Sequence, residues 1–339
     1  MSKNGITVEN IIYKAFVVEK TSHKGFTGSI KENTINDLPD GDVIIRVKYS
    51  SLNYKDALSA QGNKAVTRKY PHTPGIDASG IVEESASDNM KAGDDVIVTG
   101  YDLGMNTSGG FGQYIRVPAS WVVKLPTGIT LKESMIFGTA GFTAAMSVHK
   151  LAETVKPEDG EILVTGASGG VGSVAVGILS KLGYSVIAVS GKANAKVLLE
   201  QLGVKDIISR NKFLEESNWS LLKTRWAGVI DTVGGEILAN AIKSTNHRGV
   251  VTCCGNVASP ELPITVYPFI LRGVTLAGID SQNCPLTLRK EIWSKLASEW
   301  KFDMLSDIYN EIALHELNDA IEQILKGQLH GRTVINLDL

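Results

Sequence analysis

ILVTGASGGVGSVAVGIL, residues 162–179, decides the fold, because a buried strand runs through a glycine-rich turn into a helix of small residues. Glycine permits the tight turn and lets backbone N–H groups approach a pyrophosphate, and the helix N-terminus adds partial positive charge there. The glycines of the turn are Gly166, Gly169, Gly170 and Gly172. We expect Ser168 and Val171 to lie against the phosphates. A helix packed closely on a strand without any ligand is the alternative, and the flanking sequence argues against it.

The flanking sequence repeats a strand and helix rhythm over residues 138–281. Its six predicted strands are ILVTGA (162–167), SVIAVSG (185–191), DIIS (206–209), AGVIDTVG (227–234), GVVTCCG (249–255) and VTLAGIDS (274–281). Six such strands predict an α/β protein with a Rossmann-type doubly wound parallel sheet that binds a dinucleotide. Residues 1–137 show short strands separated by turn residues, which predicts a β-rich domain. Residues 282–339, two helical segments and the terminal strand RTVINLDL, are expected to return to that domain.

The end of the second predicted strand, VIAVSGK, indicates which dinucleotide is bound. An NAD site normally has Asp or Glu there to accept hydrogen bonds from the ribose, but residues 162–199 contain no carboxylate. Ser190 and Lys192, on either side of Gly191, offer a hydroxyl and an ammonium group to a 2'-phosphate. Arg210, after the third strand, would lie near the same phosphate or across the adenine ring. NADP(H) is therefore the predicted cofactor.

Charge and composition indicate which classes of binding partner this chain has. Lys and Arg total 34 against 36 for Asp and Glu, so no basic excess favours nucleic acid or an acidic membrane surface. Charged residues interrupt every apolar run before it could cross a bilayer, and the N-terminal sequence lacks the apolar core of a signal peptide. The three cysteines, Cys253, Cys254 and Cys284, do not suggest a disulfide framework. We predict a cytoplasmic enzyme that acts on a small molecule.

Several segments resemble the medium-chain dehydrogenase/reductase superfamily, over nearly the whole chain. They are SSLNYKDAL (50–58), TPGIDASGIV (73–82), FGTAGFTAA (137–145), VTGASGGVG (164–172), DTVGG (231–235) and PFILRGVTLAGIDS (268–281). The combination resembles the non-zinc quinone oxidoreductase branch, and within it the group of acrylyl-CoA reductases and quinone oxidoreductases. The resemblance implies that residues 1–137 are a GroES-like catalytic domain and that residues 138–281 are the Rossmann NADP-binding domain.

The sequence departs from the zinc-dependent members of that superfamily, which carry a Cys ligand in the first domain, a Gly-His-Glu segment and a four-cysteine lobe. The corresponding segment here is Gly75-Ile76-Asp77, and the first 252 residues contain no cysteine. Without these soft ligands neither a structural nor a catalytic zinc site can be assembled there, so no metal is predicted. We expect Asp77 to organise the core or a hinge of the first domain through fixed hydrogen bonds.

The resemblance places Tyr54, in SSLNYKDAL, beside the nicotinamide at the end of a first-domain strand. Its hydroxyl would donate a proton to the substrate or orient it, and Asn53 would hydrogen-bond the same ligands. Both residue types are also common where a strand ends at a turn, so a purely structural role is the alternative.

Further residues are expected around the cofactor. Gly255 and Asn256 follow the fifth strand at the edge of the sheet where ligands bind in open α/β folds. The resemblance adds Ile270 and Ser281 as walls of the cofactor site. Arg332, on the terminal strand, would close over the cofactor or remain an exposed surface charge.

The predicted function is transfer of hydride from NADPH to an activated alkene such as acrylyl-CoA. A quinone reductase and a non-catalytic NADPH-binding sensor are the alternatives. A coenzyme A tail would need cationic contacts, for which Lys64, Arg68 and Lys69 are candidates, although such a run is more often a solvated face. The apolar strand VTLAGIDS could pair with its copy, which together with the resemblance predicts a homodimer.

Overall fold

The computed structural model describes residues 11–22, 25–215 and 219–339. These residues form two compact units. The first unit contains the described residues up to Thr139 together with Pro285–Lys290 and Tyr309–Leu339. The second contains Ala140–Cys284 and Glu291–Ile308.

Strands are the main regular elements in the described part of the first 130 residues. Its elements are β1 Ile12–Thr21, β2 Gly25–Thr34, β3 Val43–Ser51, α1 Tyr54–Ala60, β4 Asp77–Ser85, β5 Asp95–Thr99, β6 Tyr114–Val117 and β7 Val122–Lys124. Alternate residues of β3, namely Val43, Ile45 and Val47, are buried in the core of this unit, as the period of two requires.

The expected strand through Tyr54 is wrong, because β3 ends at Ser51 and Tyr54 begins a helix. The backbone N–H of Asn53 donates to Asp56 Oδ2 over 2.8 Å, and this capping contact starts α1 immediately after the strand.

The middle of the chain alternates helices and strands. Its elements are α2 Leu131–Ala152, β8 Glu161–Thr165, α3 Gly170–Lys181, β9 Ser185–Ser190, α4 Lys196–Gln201, β10 Asp206–Ser209, α5 Arg210–Leu214, β11 Trp226–Asp231, α6 Gly235–Lys243, β12 Thr245–Cys253, α7 Tyr267–Arg272 and β13 Thr275–Gly278. The strands form one parallel six-stranded sheet in the order β10-β9-β8-β11-β12-β13. This is the doubly wound order, so the predicted Rossmann-type fold is confirmed.

The remaining elements are α8 Leu286–Leu296, β14 Tyr309–Ala313, α9 Leu317–Leu325 and β15 Arg332–Asn336. Strand β15 pairs antiparallel with β3 and parallel with β14, which adds both strands to the sheet of the first unit. That sheet has the order β14-β15-β3-β4-β5-β7, with β6 also paired to β3, while β1 and β2 form a separate antiparallel pair. No helix in the described ranges is long and apolar enough to cross a bilayer.

Not all of 282–339 returns to the first unit, because residues 291–308 belong to the second. Their aromatic side chains explain the difference. The ring of Trp293 stacks on that of Phe142 with 5.9 Å between centroids. The ring of Phe302 covers Gly177 so closely that a Cβ on that glycine would lie 2.7 Å from it. Burial of these rings draws the segment onto α2 and α3.

Candidate cofactor and active site

The turn between β8 and α3 requires glycine at two positions. Gly166 has φ +59°, and a Cβ there would lie 2.4 Å from Thr232 Oγ1. A Cβ on Gly172 would lie 2.3 Å from the carbonyl oxygen of Gly166, so the helix could not pack this closely on the strand. The glycine pattern therefore reflects close backbone approaches.

The N-terminus of α3 is built to receive an anion. Its N-cap, Gly169, has no side chain to accept from the first turn of the helix. The backbone N–H groups of Gly170, Val171 and Gly172 lie in that first turn, where an α-helix provides no internal acceptor. Together with the partial positive charge of the helix terminus, they form a site for a phosphate group.

Two serine hydroxyls meet beside this turn. Ser168 Oγ and Ser190 Oγ lie 3.0 Å apart, and the backbone N–H of Lys192 donates to Ser190 Oγ over 3.1 Å. The mutual bond uses one of the two hydroxyl hydrogens, which leaves the other to donate to a ligand. The structure thus brings Ser168 and Ser190, predicted from separate segments, into one contact.

Two cations lie at the same strand end. A Cβ on Gly191 would be 2.9 Å from Cζ and Nη2 of Arg210, so the guanidinium lies directly against the glycine backbone. Burial and then the positive charge of Arg210 lower the pKa of Lys192. Two like charges held together favour an anion between them, and a phosphate dianion meets that requirement.

A hydrogen bond joins the two strands at which the sheet order reverses. Thr165, the last residue of β8, donates from Oγ1 to Oδ1 of Asp231, the last residue of β11, over 2.6 Å. Thr232 adds a second link, from its Oγ1 to the carbonyl oxygen of Thr165 over 2.9 Å. Our sequence reasoning did not identify Thr165 or Asp231. A signal was present, since both are polar residues at the ends of apolar strands that meet at the crevice.

The turns after β12 and β13 lie at the same edge of the sheet. Gly255 lies against the turn after β11, and a Cβ there would meet the carbonyl oxygen of Thr232 at 1.9 Å. Asn256 is exposed beside it. Ser281, three residues beyond β13, accepts a hydrogen bond of 2.8 Å from Thr143 Oγ1 on α2, a partner that the sequence did not reveal.

Ile270, which the resemblance predicts as a wall of the cofactor site, lies on α7. It is 67% exposed on α7, a helix that leads to the amino end of β13, whereas the predicted cofactor edge is at the carboxyl ends of the strands. Arg272 anchors the end of α7 by donating to the carbonyl oxygens of Lys243 and Leu222 over 2.7 and 2.6 Å. Ile270 therefore has an exposed apolar side chain, and its place in the cofactor wall stays a prediction.

In the first unit a buried carboxylate, Asp77, collects four hydrogen bonds. It accepts from Ser51 Oγ over 2.6 Å, from Asn53 Nδ2 over 2.7 Å, and from the backbone N–H and the hydroxyl of Thr139 over 2.9 and 2.6 Å. Gly138 has φ +52° at the break in α2, and a Cβ there would meet Asp77 Oδ2 at 2.6 Å. Asp77 thus fixes Gly138 and Thr139, where the chain first leaves the first unit.

Asn53 and Arg332 belong to this buried network, contrary to our expectation. Asn53 is 9% exposed, and both ends of its amide are bonded within the unit, to Asp77 and to Arg332 Nη1. Arg332 is 3% exposed and donates to Ser51 Oγ over 2.9 Å and to the carbonyl oxygen of Ile136 over 2.9 Å. Because these donors and acceptors are already used, the two residues position the start of α1 instead of contacting a ligand.

A second buried carboxyl, Asp56, lies in the same motif. It accepts from the backbone N–H groups of Asn53 and Ile76 over 2.8 and 2.9 Å. Burial, and then the negative charge of Asp77, raise the pKa of Asp56 to about 7, against the lowering effect of these hydrogen bonds. The sequence did not single out Asp56, although it stands within SSLNYKDAL.

Tyr54 differs from its neighbours because its side chain is 40% exposed, while Asn53 and Asp56 are buried. It is the first residue of α1, so the capping contacts of Asn53 and Asp56 set the direction in which the helix starts. Tyr54 is therefore the most exposed residue of the motif SSLNYKDAL.

The environment of Cys254 opposes a reactive or metal-binding role. Burial, and then the negative charge of Asp231, raise the pKa of Cys254 to about 12, so its thiolate is not populated near neutral pH. Among the described residues, no group of three or more His, Cys, Asp or Glu side chains is arranged to hold a metal ion.

The doubly wound sheet, the glycine turn and the paired cations define a dinucleotide-dependent oxidoreductase. A family model described as the alcohol dehydrogenase GroES-like domain matches residues 39–127, and one described as zinc-binding dehydrogenase matches residues 170–299. The Bacillus subtilis protein named "Putative quinone oxidoreductase YhfP" is 42% identical over 96% of this chain and 99% of its own length. Acrylyl-CoA reductase AcuI of Ruegeria pomeroyi is 40% identical over 96% of this chain and 100% of its own length.

Solved structures agree with these matches. The yhdH oxidoreductase from Salmonella enterica in complex with NADP has a TM-score of 0.93 and 41% identity, covering 96% of this chain and 99% of that chain. Bacillus subtilis yhfP with NAD bound has a TM-score of 0.93 and covers 96% of this chain and 100% of that chain. The chain belongs to the medium-chain dehydrogenase/reductase superfamily, in the group that contains these quinone oxidoreductase and acrylyl-CoA reductase relatives.

Proposed function

We propose that this protein is a zinc-independent, NADPH-dependent oxidoreductase that reduces an activated alkene such as acrylyl-CoA. The observation that carries the cofactor assignment is the pair of cations, Lys192 and Arg210, held at the end of β9 beside Gly191. A relative with 41% identity was crystallised with NADP, which supports the same assignment.

The residues present fit NADP(H). The first-turn N–H groups of α3 would hold the pyrophosphate, and Ser168, Ser190, Lys192 and Arg210 would hold the 2'-phosphate. Gly255, Asn256 and Ser281, at the carboxyl ends of β12 and β13, would border the nicotinamide half. Bound NADPH would supply the hydrogen and the two electrons that reduce the substrate.

Tyr54 would act on the substrate. Reduction of an unsaturated thioester at its β-carbon places negative charge on the carbonyl oxygen, and a donor aimed at that oxygen stabilises it. The exposed hydroxyl of Tyr54 can donate, whereas Asn53 and Asp77 are used in holding the start of α1.

The proposed chemistry does not involve zinc. Ile76 has no donor atom at the position of the zinc-ligand segment, and Asp77 is surrounded by four hydrogen bonds. The cysteines are in the second unit, and the raised pKa of Cys254 opposes formation of a thiolate ligand.

A basic loop in the first unit favours an acyl-CoA over a quinone. Lys64, Arg68 and Lys69 are exposed on this loop, which follows α1. Lys64 Nζ donates to the carbonyl oxygen of Arg68 over 3.1 Å, and Asn106 Oδ1 accepts from the backbone N–H of Arg68 over 3.3 Å, so the loop is braced. Coenzyme A carries several phosphate charges that these cations would attract, while a quinone carries none.

NADPH oxidation should therefore be followed with acrylyl-CoA, crotonyl-CoA, acrylyl-N-acetylcysteamine and a soluble quinone, each supplied separately. We expect acrylyl-CoA to have the highest kcat/KM. Fastest turnover of the quinone would favour the quinone reductase alternative, and tight NADPH binding without turnover would favour a sensor.

A charge variant refines this assay. Replacing Lys64, Arg68 and Lys69 by Gln should raise the KM for acrylyl-CoA about tenfold and leave the KM for acrylyl-N-acetylcysteamine, which lacks phosphates, unchanged. The matched control replaces three exposed lysines of the same unit, Lys14, Lys20 and Lys91, by Gln. Equal effects of the two triple variants would contradict the coenzyme A assignment.

We also propose a cytoplasmic homodimer, formed through the edge strand β13. This strand is at one edge of its sheet, where unpaired backbone groups can join a second copy. The adjoining exposed apolar side chains are Val257, Val266, Tyr267, Ile270 and Leu271. Light scattering should give twice the chain mass, and Ile270→Glu with Leu271→Glu should give a monomer. A monomeric unsubstituted protein would refute the dimer.

A further inference from the structure

Asp231 is a buried acid whose carboxylate is fixed by neutral donors. Its side chain is 0% exposed at the end of β11. It accepts from Thr165 Oγ1 over 2.6 Å and from the backbone N–H groups of Val233 and Gly234 over 3.2 and 2.8 Å. Burial raises the pKa of Asp231, and the hydrogen bonds from Thr165, Gly234 and Val233 act in the opposite direction. Since each of these partners donates, they favour the ionised carboxylate.

No cation balances this charge within the described ranges. The ion pairs found there, at N to O distances up to 4.0 Å, do not include Asp231. The titratable groups that face it are the thiols of Cys253, its register partner on β12, and Cys254, whose backbone N–H donates to the carbonyl oxygen of Asp231. Burial and the charge of Asp231 raise the pKa of Cys253, so that thiol remains neutral.

The position of Asp231 in the sheet indicates which half of the bound cofactor it would face. In a doubly wound sheet each half binds one mononucleotide. The half formed by β8, β9 and β10 carries the phosphate turn and the cations proposed for the adenosine 2'-phosphate. The nicotinamide would therefore bind to the half formed by β11, β12 and β13. Asp231 is the last residue of β11, the first strand of that half.

The two redox forms of nicotinamide respond differently to this charge. The oxidised ring is a cation and the reduced ring is neutral, so a fixed negative charge in a medium of low dielectric constant stabilises the oxidised form selectively. We propose that Asp231, acting through its electric field, strengthens binding of NADP⁺ relative to NADPH and so favours hydride donation. This inference rests on the proposed NADPH-dependent function.

The test is the ratio of two dissociation constants, measured by fluorescence titration of the full-length protein with NADP⁺ and with NADPH. In Asp231→Asn we expect the Kd for NADP⁺ to rise about tenfold more than the Kd for NADPH. Thr165→Val is the matched control, because it removes the hydrogen bond at 2.6 Å and keeps the carboxyl group of Asp231. Since loss of this donor raises the pKa of Asp231 further, both variants are titrated in an alkaline buffer. Thr165→Val should weaken both forms alike and leave the ratio unchanged.

An unchanged ratio in Asp231→Asn, or the same change of ratio in Thr165→Val, would overturn the inference. If Asp231→Asn does not fold, Cys253→Lys provides a second measurement, because it places an ammonium group on the register partner of Asp231. That variant should shift the ratio in the same direction, and no shift would overturn the proposal. Failure of the unsubstituted protein to bind either form would instead refute the proposed function.

Discussion

The guanidinium of Arg210 lies against the backbone of Gly191, where a Cβ would stand 2.9 Å from its Cζ and Nη2 atoms. This contact brings a residue that begins α5 to the end of β9, beside Lys192. Gly191 therefore matters because it leaves room for a cation, and this accounts for a glycine between the two residues proposed to bind the 2'-phosphate.

Gly191→Ala should displace Arg210 and weaken NADPH binding about tenfold, with little effect on NADH, because the lost contact is a charge-assisted one to the 2'-phosphate. Cofactor titration of Gly191→Ala, Arg210→Ala and the double variant tests whether Gly191 acts by leaving room for Arg210. The double variant should be no weaker than Arg210→Ala alone. Additive losses would show that Gly191 acts independently of Arg210.

Lys192→Asp should weaken NADPH binding about a hundredfold and NADH binding far less, since the new carboxylate repels the 2'-phosphate. The control is Lys181→Asp, which reverses an exposed charge at the far end of α3. Equal losses for the two cofactors would contradict the assignment of the phosphate to Lys192.

Tyr54→Phe should lower kcat at least tenfold while the Kd for NADPH stays nearly the same, because only the hydroxyl is removed. Tyr309→Phe, on β14 of the same unit, serves as the control for loss of a phenol hydroxyl. Steady-state kinetics and cofactor titration together make the measurement. An unchanged kcat would demote Tyr54 to a packing role.

Asp56 should make the folded protein less stable as the pH rises. Its pKa is about 7 in the folded chain and 3.8 in the reference state, so the folded form binds the proton more strongly between these values. The stabilisation that the bound proton provides is fully present below 3.8, the pKa of Asp56 in the reference state. It is lost as the pH rises through about 7, the pKa of Asp56 in the folded chain. The loss is at most about 1.4 kcal/mol per pH unit.

Urea unfolding from about pH 5 to about pH 8 measures this effect in the unsubstituted protein and in Asp56→Asn. The variant should be less stable at low pH, because the amide matches the two N–H donors poorly, and its stability should depend less on pH. Asp88→Asn, at an exposed site of the same unit, should keep the original pH dependence. Parallel pH profiles for all three proteins would contradict the raised pKa.

Local patterns in the sequence were sufficient for the main architecture. Apolar periodicity predicted the six strands of the parallel sheet, and the glycine spacing around Gly166 and Gly172 predicted the turn that ends its first strand. The absence of a carboxylate after β9 and the presence of Lys192 predicted NADP(H) from the sequence alone. These features depend on residues close in the chain, where turn chemistry and side-chain period act directly.

Tertiary structure decided which polar residues are accessible. Asn53 and Arg332 are 279 positions apart, and only the pairing of β15 with β3 brings them to Asp77 and buries them, while leaving Tyr54 exposed. The link between Thr165 and Asp231 likewise depends on β8 and β11 being neighbours. Sequence determined the elements and the chemical groups on them, but long-range strand pairing determined which groups were consumed by hydrogen bonds. The reason is that burial obliges a polar group to find a partner, and that partner is chosen by the fold and not by proximity in the chain.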